Sequence, residues 1–201
     1  MIKNIVFDVG DVLVAFCWDD VARRLGFSEE LVAKFRKNMV ELPAWNEFDR
    51  GTITEEQVLE AIRAAMPENE EDLKLLWSHK REFTREYPTS APVIRHLKEK
   101  GYRVYLLSNY PKELRDAHWP SFSFLDIVDG IVVSADVKMV KPDKEIFEKL
   151  CELYGLKAQE CLFVDDRDYN VEGARSAGMH GLVYEGEKTI EKLRQMPEPV
   201  M

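Results

Sequence analysis

The chain has 201 residues, 45% hydrophobic and 32% charged, enough to bury the core of one large domain or of a domain carrying an insertion. A net charge of −9 leaves no basic surplus to neutralise phosphates. That excludes a nucleic-acid or membrane-surface binder but leaves room for a small phosphorylated metabolite. Three cysteines, Cys17, Cys151 and Cys161, are too few and too scattered for a disulfide framework or a zinc site. They predict reduced thiols and a cytoplasmic protein.

Met1-Ile2-Lys3-Asn4 leads into a strand-like run rather than a signal peptide, and no apolar stretch approaches the roughly 18 residues a bilayer span needs. Ile5, Val6 and Phe7 have no polar neighbour on either side of the alternation, as in a strand buried on both faces of a parallel sheet. Asp8 closes that run, with Gly10 and Asp11 following.

Residues 14–88 read as helical throughout, with no strand. Asp19 or Asp20 starts a helix that Gly26 ends, and Ser28 opens the next, with Leu31, Val32 and Phe35 at helical spacing. Thr54 and Gln57 form a capping box ahead of Val58, Leu59 and Ile62, and Pro67 closes that helix. A further helix is predicted from about Glu70 to Phe83. Short polar turns between such helices predict an antiparallel bundle.

From Tyr87-Pro88 onward helices and strands alternate. An amphipathic helix around Pro92–Lys98 stops at Gly101, and Tyr102–Leu107 is a strand ending in Ser108-Asn109. Asp129–Ser134 is a strand, and Asp143–Tyr154 a helix with Ile146, Phe147, Leu150 and Leu153 on one face. Cys161–Val164 is a strand ending in Asp165-Asp166. A helix from Asn170 to Ala177 and a strand from Gly181 to Tyr184 complete the pattern. This alternation predicts an α/β fold, a Rossmann-like parallel sheet covered by helices on both faces. The tail Met196–Met201 reads as a frayed end.

In a parallel sheet the carboxyl ends of all strands share one edge, so Asp8, Ser108-Asn109 and Asp165-Asp166 converge there, with Lys141-Pro142 in a loop nearby. Singly, each could be a helix cap, a turn or a solvated lysine. Jointly, three carboxylates suit Mg²⁺, which takes a few protein oxygens and keeps sites for water and phosphate. A lysine and a hydroxyl suit the remaining phosphate oxygens.

These motifs resemble the haloacid dehalogenase superfamily of aspartate-nucleophile hydrolases. The resemblance rests on Phe7-Asp8-Val9-Gly10-Asp11-Val12-Leu13, Leu106-Leu107-Ser108-Asn109, Lys141-Pro142-Asp143 and Phe163-Val164-Asp165-Asp166, with Asn170 and Glu172-Gly173-Ala174 following. It implies a core domain of residues 1–13 and 89–201 and a helical type 1 cap of residues 14–88. It also implies a Mg²⁺-dependent phosphatase with Asp8 as nucleophile and Ser108 and Lys141 as catalytic partners. Ser108, Asn109 and Lys141 would hold phosphate. Asp8, the Gly10 carbonyl and Asp166 would hold the metal, and Asp165 and Asn170 would stand behind them.

Most phosphatases of this superfamily carry a second aspartate, the general acid, where this chain has Gly10. The substitution keeps a main-chain carbonyl and removes the proton donor, so leaving groups of lower pKa are favoured, and Asp11 or water is left to substitute. The Asp-x-Gly-x-Val pattern and Phe48-Asp49-Arg50-Gly51 are similar to the α-D-glucose-1-phosphate phosphatase subgroup, which makes a sugar phosphate the expected substrate. Two rival readings are a metal-free 2-haloacid dehalogenase and a regulatory protein that binds a metabolite without turning it over. Trp18, Trp45, Asn46, Phe48 and Arg50 are the cap candidates for substrate contact. The four histidines, His79, His96, His118 and His180, read as surface or packing residues.

Overall fold

The computed structural model describes residues 1–199. In chain order the elements are β1 (Asn4–Phe7), β2 (Val14–Phe16), α1 (Trp18–Arg24), α2 (Glu29–Phe35), α3 (Pro43–Arg50), α4 (Glu55–Ala65), α5 (Glu70–Ser78), β3 (Thr84–Glu86), α6 (Ser90–Glu99) and β4 (Arg103–Ser108). They continue with α7 (Lys112–His118), β5 (Gly130–Val133), α8 (Ser134–Val137), α9 (Lys144–Tyr154), β6 (Cys161–Asp165), α10 (Asp168–Ser176), β7 (His180–Val183) and α11 (Glu187–Arg194).

Five strands form one parallel sheet in the order β5-β4-β1-β6-β7. β1 is central, and Ile5, Val6 and Phe7 are fully buried, as the unbroken apolar run predicts. Period-2 alternation splits the strand residues between two cores. Ile5 and Phe7 pack with Val104, Leu106, Ile94, Leu97, Ile190 and Leu193 on one face. Val6 packs with Tyr105, Leu107, Phe163, Ile146, Phe147 and Leu150 on the other. The register pairs Phe7 with Leu106 on one side and with Val164 on the other. Asp8, just past β1, is therefore level with Leu107 and with Asp165 at the end of β6, and Ser108 ends β4 one residue further on.

The helical segment between β1 and α6 departs from its reading in three places. It contains strands after all: β2 and β3 pair antiparallel, Val14 with Glu86 and Phe16 with Thr84. Three residues per strand are too few to print an alternation that sequence can show. α1 begins at Trp18, so Asp19 and Asp20 lie in its first turn instead of capping it. α5 ends at Ser78, and a short 3₁₀ turn carries the chain to Phe83, which is buried in the segment's core all the same. The Ser28 cap and the reciprocal Thr54–Gln57 box form as expected. Trp45, Phe48, Trp77 and Phe83 build the interior by edge-to-face contacts at 6.0–6.3 Å between ring centres.

Further along the chain, Leu153 projects from α9 at 51% exposure, off the face formed by Ile146, Phe147 and Leu150. The tail is held as far as Pro197: Lys100 Nζ donates to the Met196 carbonyl and Tyr102 Oη to that of Pro197. The frayed-end reading fails there because burying the Tyr102 ring brings its hydroxyl against the tail; Val200 and Met201 lie outside the described residues. All three cysteines are free thiols. No helix among the described residues is long and apolar enough to cross a membrane.

Candidate active site

Asp8 leaves β1 at the sheet's carboxyl edge and is 8% exposed. Its Oδ1 accepts the Val9 N–H at 2.7 Å and lies 2.7 Å from Lys141 Nζ. Lys141, 3% exposed, places the same ammonium 2.7 Å from Asp165 Oδ2 and 5.3 Å above the Phe163 ring. One cation thus bridges two buried carboxylates. Asp165 is fixed in turn by the Arg167 N–H at 2.8 Å and by Asn170 Nδ2 at 3.0 and 3.1 Å.

Burial pushes the Asp8 carboxyl up to about 7 against the downward pull of Lys141. Burial alone would depress Lys141, but the Asp8 and Asp165 charges outweigh it and hold the ammonium above its ordinary range. Lys141 therefore stays charged at neutral pH.

The loop carrying Lys141 is seated by two contacts. Asn109 Oδ1 accepts the Lys141 N–H at 2.8 Å, and Asn109 Nδ2 donates to the Lys141 carbonyl at 3.0 Å. Asn109, expected to bind phosphate, lines the cavity and spends both ends of its side-chain amide on this loop. Gly173 lets α10 press against the same loop, since a Cβ there would meet the Pro142 carbonyl oxygen at 2.4 Å.

Two buried polar atoms at this edge, Ser108 Oγ and Asn170 Oδ1, have no partner among the described residues. Such atoms are costly unless something binds them. Asp8, Asp165 and Asp166 present one oxygen each within 4.8 Å of one another. All-oxygen donors of this kind fit Mg²⁺. Of these three, Asp165 is the most engaged, by Lys141, Arg167 and Asn170. Asp166, raised by burial, pairs with Arg167 Nε at 3.0 Å. Capping does not explain the acidic pair: α10 begins only at Asp168, with Arg167 in the cap position.

Asp11 has a left-handed backbone (φ 53°), and its Oδ1 accepts the Phe16 N–H at 3.0 Å. The carboxylate ties down the turn into β2.

A cavity of about 740 Å³ opens above Asp8, between the sheet edge and the helical segment. Gly10, Lys141, Asp166 and Asn170 form its floor, and Trp45, Asn46, Asp49 and Arg50 of α3 lie on its other wall. Trp18 and Phe48 of the substrate-contact candidates are fully buried in the helical segment instead. Apolar wall is supplied by Val14, Phe16, Val40 and Leu114.

Two lining groups escaped the sequence reading. Burial pushes the Asp49 carboxyl up to about 8, with Lys141 pulling it down and Asp8 pushing it up. Its place in the Phe48-Asp49-Arg50-Gly51 motif was the available signal. His118, whose packing role was expected but not its place on the cavity, is buried, and burial pulls its pKa below the ordinary histidine range. Its Nε2 lies 2.6 Å from the Lys80 carbonyl and its Nδ1 2.6 Å from Tyr110 Oη. A carbonyl only accepts, so Nε2 carries the proton and Nδ1 accepts from the tyrosine. Of the other histidines, His96 contacts the Arg194 carbonyl, and His180 is exposed.

A parallel sheet with a buried Asp–Lys–Asp array at its carboxyl edge, opening onto a closed-over cavity, is the architecture of an α/β hydrolase with a carboxylate at its centre. A family model for haloacid dehalogenase-like hydrolases matches residues 2–178, and the chain belongs to that family. It is similar to the sesquiterpene phosphatase astK of Aspergillus oryzae, 28% identical over 96% of each chain. It is also similar to (S)-2-haloacid dehalogenase 4A of Burkholderia cepacia, 30% identical over 64% of this chain and 55% of that one. A family enzyme of Bacteroides thetaiotaomicron, solved in complex with magnesium and inorganic phosphate, superposes with a TM-score of 0.66 at 26% identity, covering 92% of this chain and 95% of that one.

Proposed function

We propose that the protein is a Mg²⁺-dependent phosphatase that cleaves a small phosphate monoester through a phosphorylated Asp8. The observation that carries this reading is the asymmetry of Asp8. Its Oδ1 is held by Lys141 and Val9, while Oδ2 has no donor among the described residues and Asp8 lines the cavity together with Gly10, Lys141 and Asp166. Oδ2 attacks phosphorus in line, and the ester bond breaks as the Asp8–phosphate bond forms. Lys141 neutralises charge on the phosphoryl oxygens and Ser108 donates a hydrogen bond to them. Asp165 holds the Lys141 ammonium in place. When bound by Asp8, the Gly10 carbonyl and Asp166, Mg²⁺ supplies further positive charge at the phosphoryl group. Residues 14–88 act as a cap that shuts water out.

The leaving group is a sugar in the first reading, supported by Asn46, Glu47, Arg36 and Arg50 as partners for hydroxyls. The apolar wall of Val14, Phe16, Val40 and Leu114 supports a second reading, an isoprenoid monophosphate, in line with the Aspergillus oryzae relative.

Phosphate release from glucose 1-phosphate and farnesyl phosphate, with and without Mg²⁺, separates these readings. Mg²⁺-dependent release from either identifies its class, and Asp8→Asn abolishes it. Chloride release from 2-chloropropionate without metal makes the protein a dehalogenase. Tight binding of an ester with no release makes it a regulatory protein.

A further inference from the structure

We propose that Asp49, reaching the cavity from α3, is the catalytic acid that protonates the leaving group, in the role that Gly10 leaves vacant. This rests on the phosphatase reading above and extends it to the proton.

The floor offers no such group. A Cβ built on Gly10 would meet nothing within 4 Å, so the space beside Asp8 is open. Asp49 lines the cavity that Asp8, Gly10 and Lys141 line, near enough for the Asp8 and Lys141 charges to act on it.

The backbone around Asp49 is fastened to the core rather than left to ride on the helical segment. Ser134 Oγ donates to the Asp49 carbonyl at 2.5 Å, Lys138 Nζ donates to that of Gly51, and Arg50 pairs with Asp143 at 3.4 Å. Gly51 has φ +71°, and a Cβ there would lie 2.9 Å from the Ala135 Cα, so α3 ends in direct contact with α8. The Asp49 carboxyl itself has no hydrogen bond or ion pair among the described residues. An acid that must give its proton to a substrate needs this combination of a fixed backbone and a free side chain.

Of the other acids of the cavity, Glu41 is exposed to solvent and three are committed. Asp11 accepts from Phe16, Glu47 accepts from the Thr52 hydroxyl at 2.6 Å, and Asp166 pairs with Arg167. The Tyr110 proton goes to His118. Burial, which favours the neutral form, keeps Asp49 protonated near neutral pH.

The step balances. Asp8 Oδ2 bonds to phosphorus, the bond to the ester oxygen breaks, and its electron pair stays on that oxygen. The oxygen takes the Asp49 proton and departs as an alcohol. Water then cleaves the Asp8–phosphate bond, releasing inorganic phosphate and returning a proton to Asp49. With Asp49 in this role the site is not confined to leaving groups of low pKa.

The test compares kcat/KM for glycerol phosphate, whose alkoxide needs a proton, with that for p-nitrophenyl phosphate, whose phenolate does not. In Asp49→Asn the ratio of alkyl to aryl kcat/KM falls by about 10²-fold or more. Adding Gly10→Asp to that variant raises the ratio again by tenfold or more, because the open space accepts the new carboxyl. An equal loss on both esters, or no loss on either, overturns the role of Asp49. Wild-type protein that releases phosphate from neither ester, nor from the substrates above, overturns the phosphatase reading itself.

Discussion

The floor and the wall of the cavity are built on opposite plans. On the floor, Asp8, Lys141 and Asp165 are at most 8% exposed, and each is fixed by a charged partner. Coulomb energies there are large because little water screens them. On the wall, α3 presents Asn46, Asp49 and Arg50 from a helix whose Trp45 and Phe48 make the packing. The floor is an electrostatic device, and the wall is a hydrophobic body with a few polar groups at its edge. Chemistry shared by a family belongs on the first, and choice of leaving group on the second.

The comparison breaks most sharply at Lys141. In Lys141→Met two buried carboxylates face each other with no cation between them. Turnover should fall about 10³-fold, and stability by about 3 kcal/mol, read as a Tm lowered by roughly 6–12 °C. A variant that keeps its turnover would show that the floor does not work by charge.

Trp45→Ala tests the wall. It removes a ring that touches Phe16, Phe48 and Trp77. The expected cost is about 3 kcal/mol, with a KM that changes differently for sugar and isoprenoid esters while the Asp8→Asn dependence of turnover persists. Thermal melts and a two-substrate kinetic series report both.

The smallest effect concerns Asp49 and pH. Its folded-state pKa, about 8, lies above the ordinary carboxylate value, so the folded protein binds this proton more tightly than the unfolded chain. Its contribution to stability is fully present below about pH 4 and is lost as pH rises through about 8. Asp49→Asn removes that loss. The Tm of the variant relative to wild type should therefore rise between these limits, by about 2 °C or more. A constant difference would place the Asp49 carboxyl in solvent.

Which of these features sequence could show follows the same division. Asp8, Ser108 and Asp165 are legible because each ends a run of buried apolar residues, and parallel strands bring such ends to one edge. β2 and β3 are not legible, since three residues carry no period, and their pairing joins positions about seventy residues apart. Asp11 looked available as an acid until its left-handed turn brought it under the Phe16 amide. Asn109 stands at the right strand end, yet its amide serves the Lys141 loop.

Residue order alone determined the parallel sheet, its polar edge and the missing side chain at position 10. Those are consequences of local periodicity, of strand polarity and of simple absence. Tertiary structure alone brought the Asp49 carboxylate to the cavity that Gly10 lines. Asp49 is 41 residues beyond Asp8, and the Phe48-Asp49-Arg50-Gly51 motif that holds it does not by itself say where its carboxyl lies. Only the packing of α3 on α8, through close contact at Gly51 and the Ser134 hydroxyl, carries it into the cavity above Gly10.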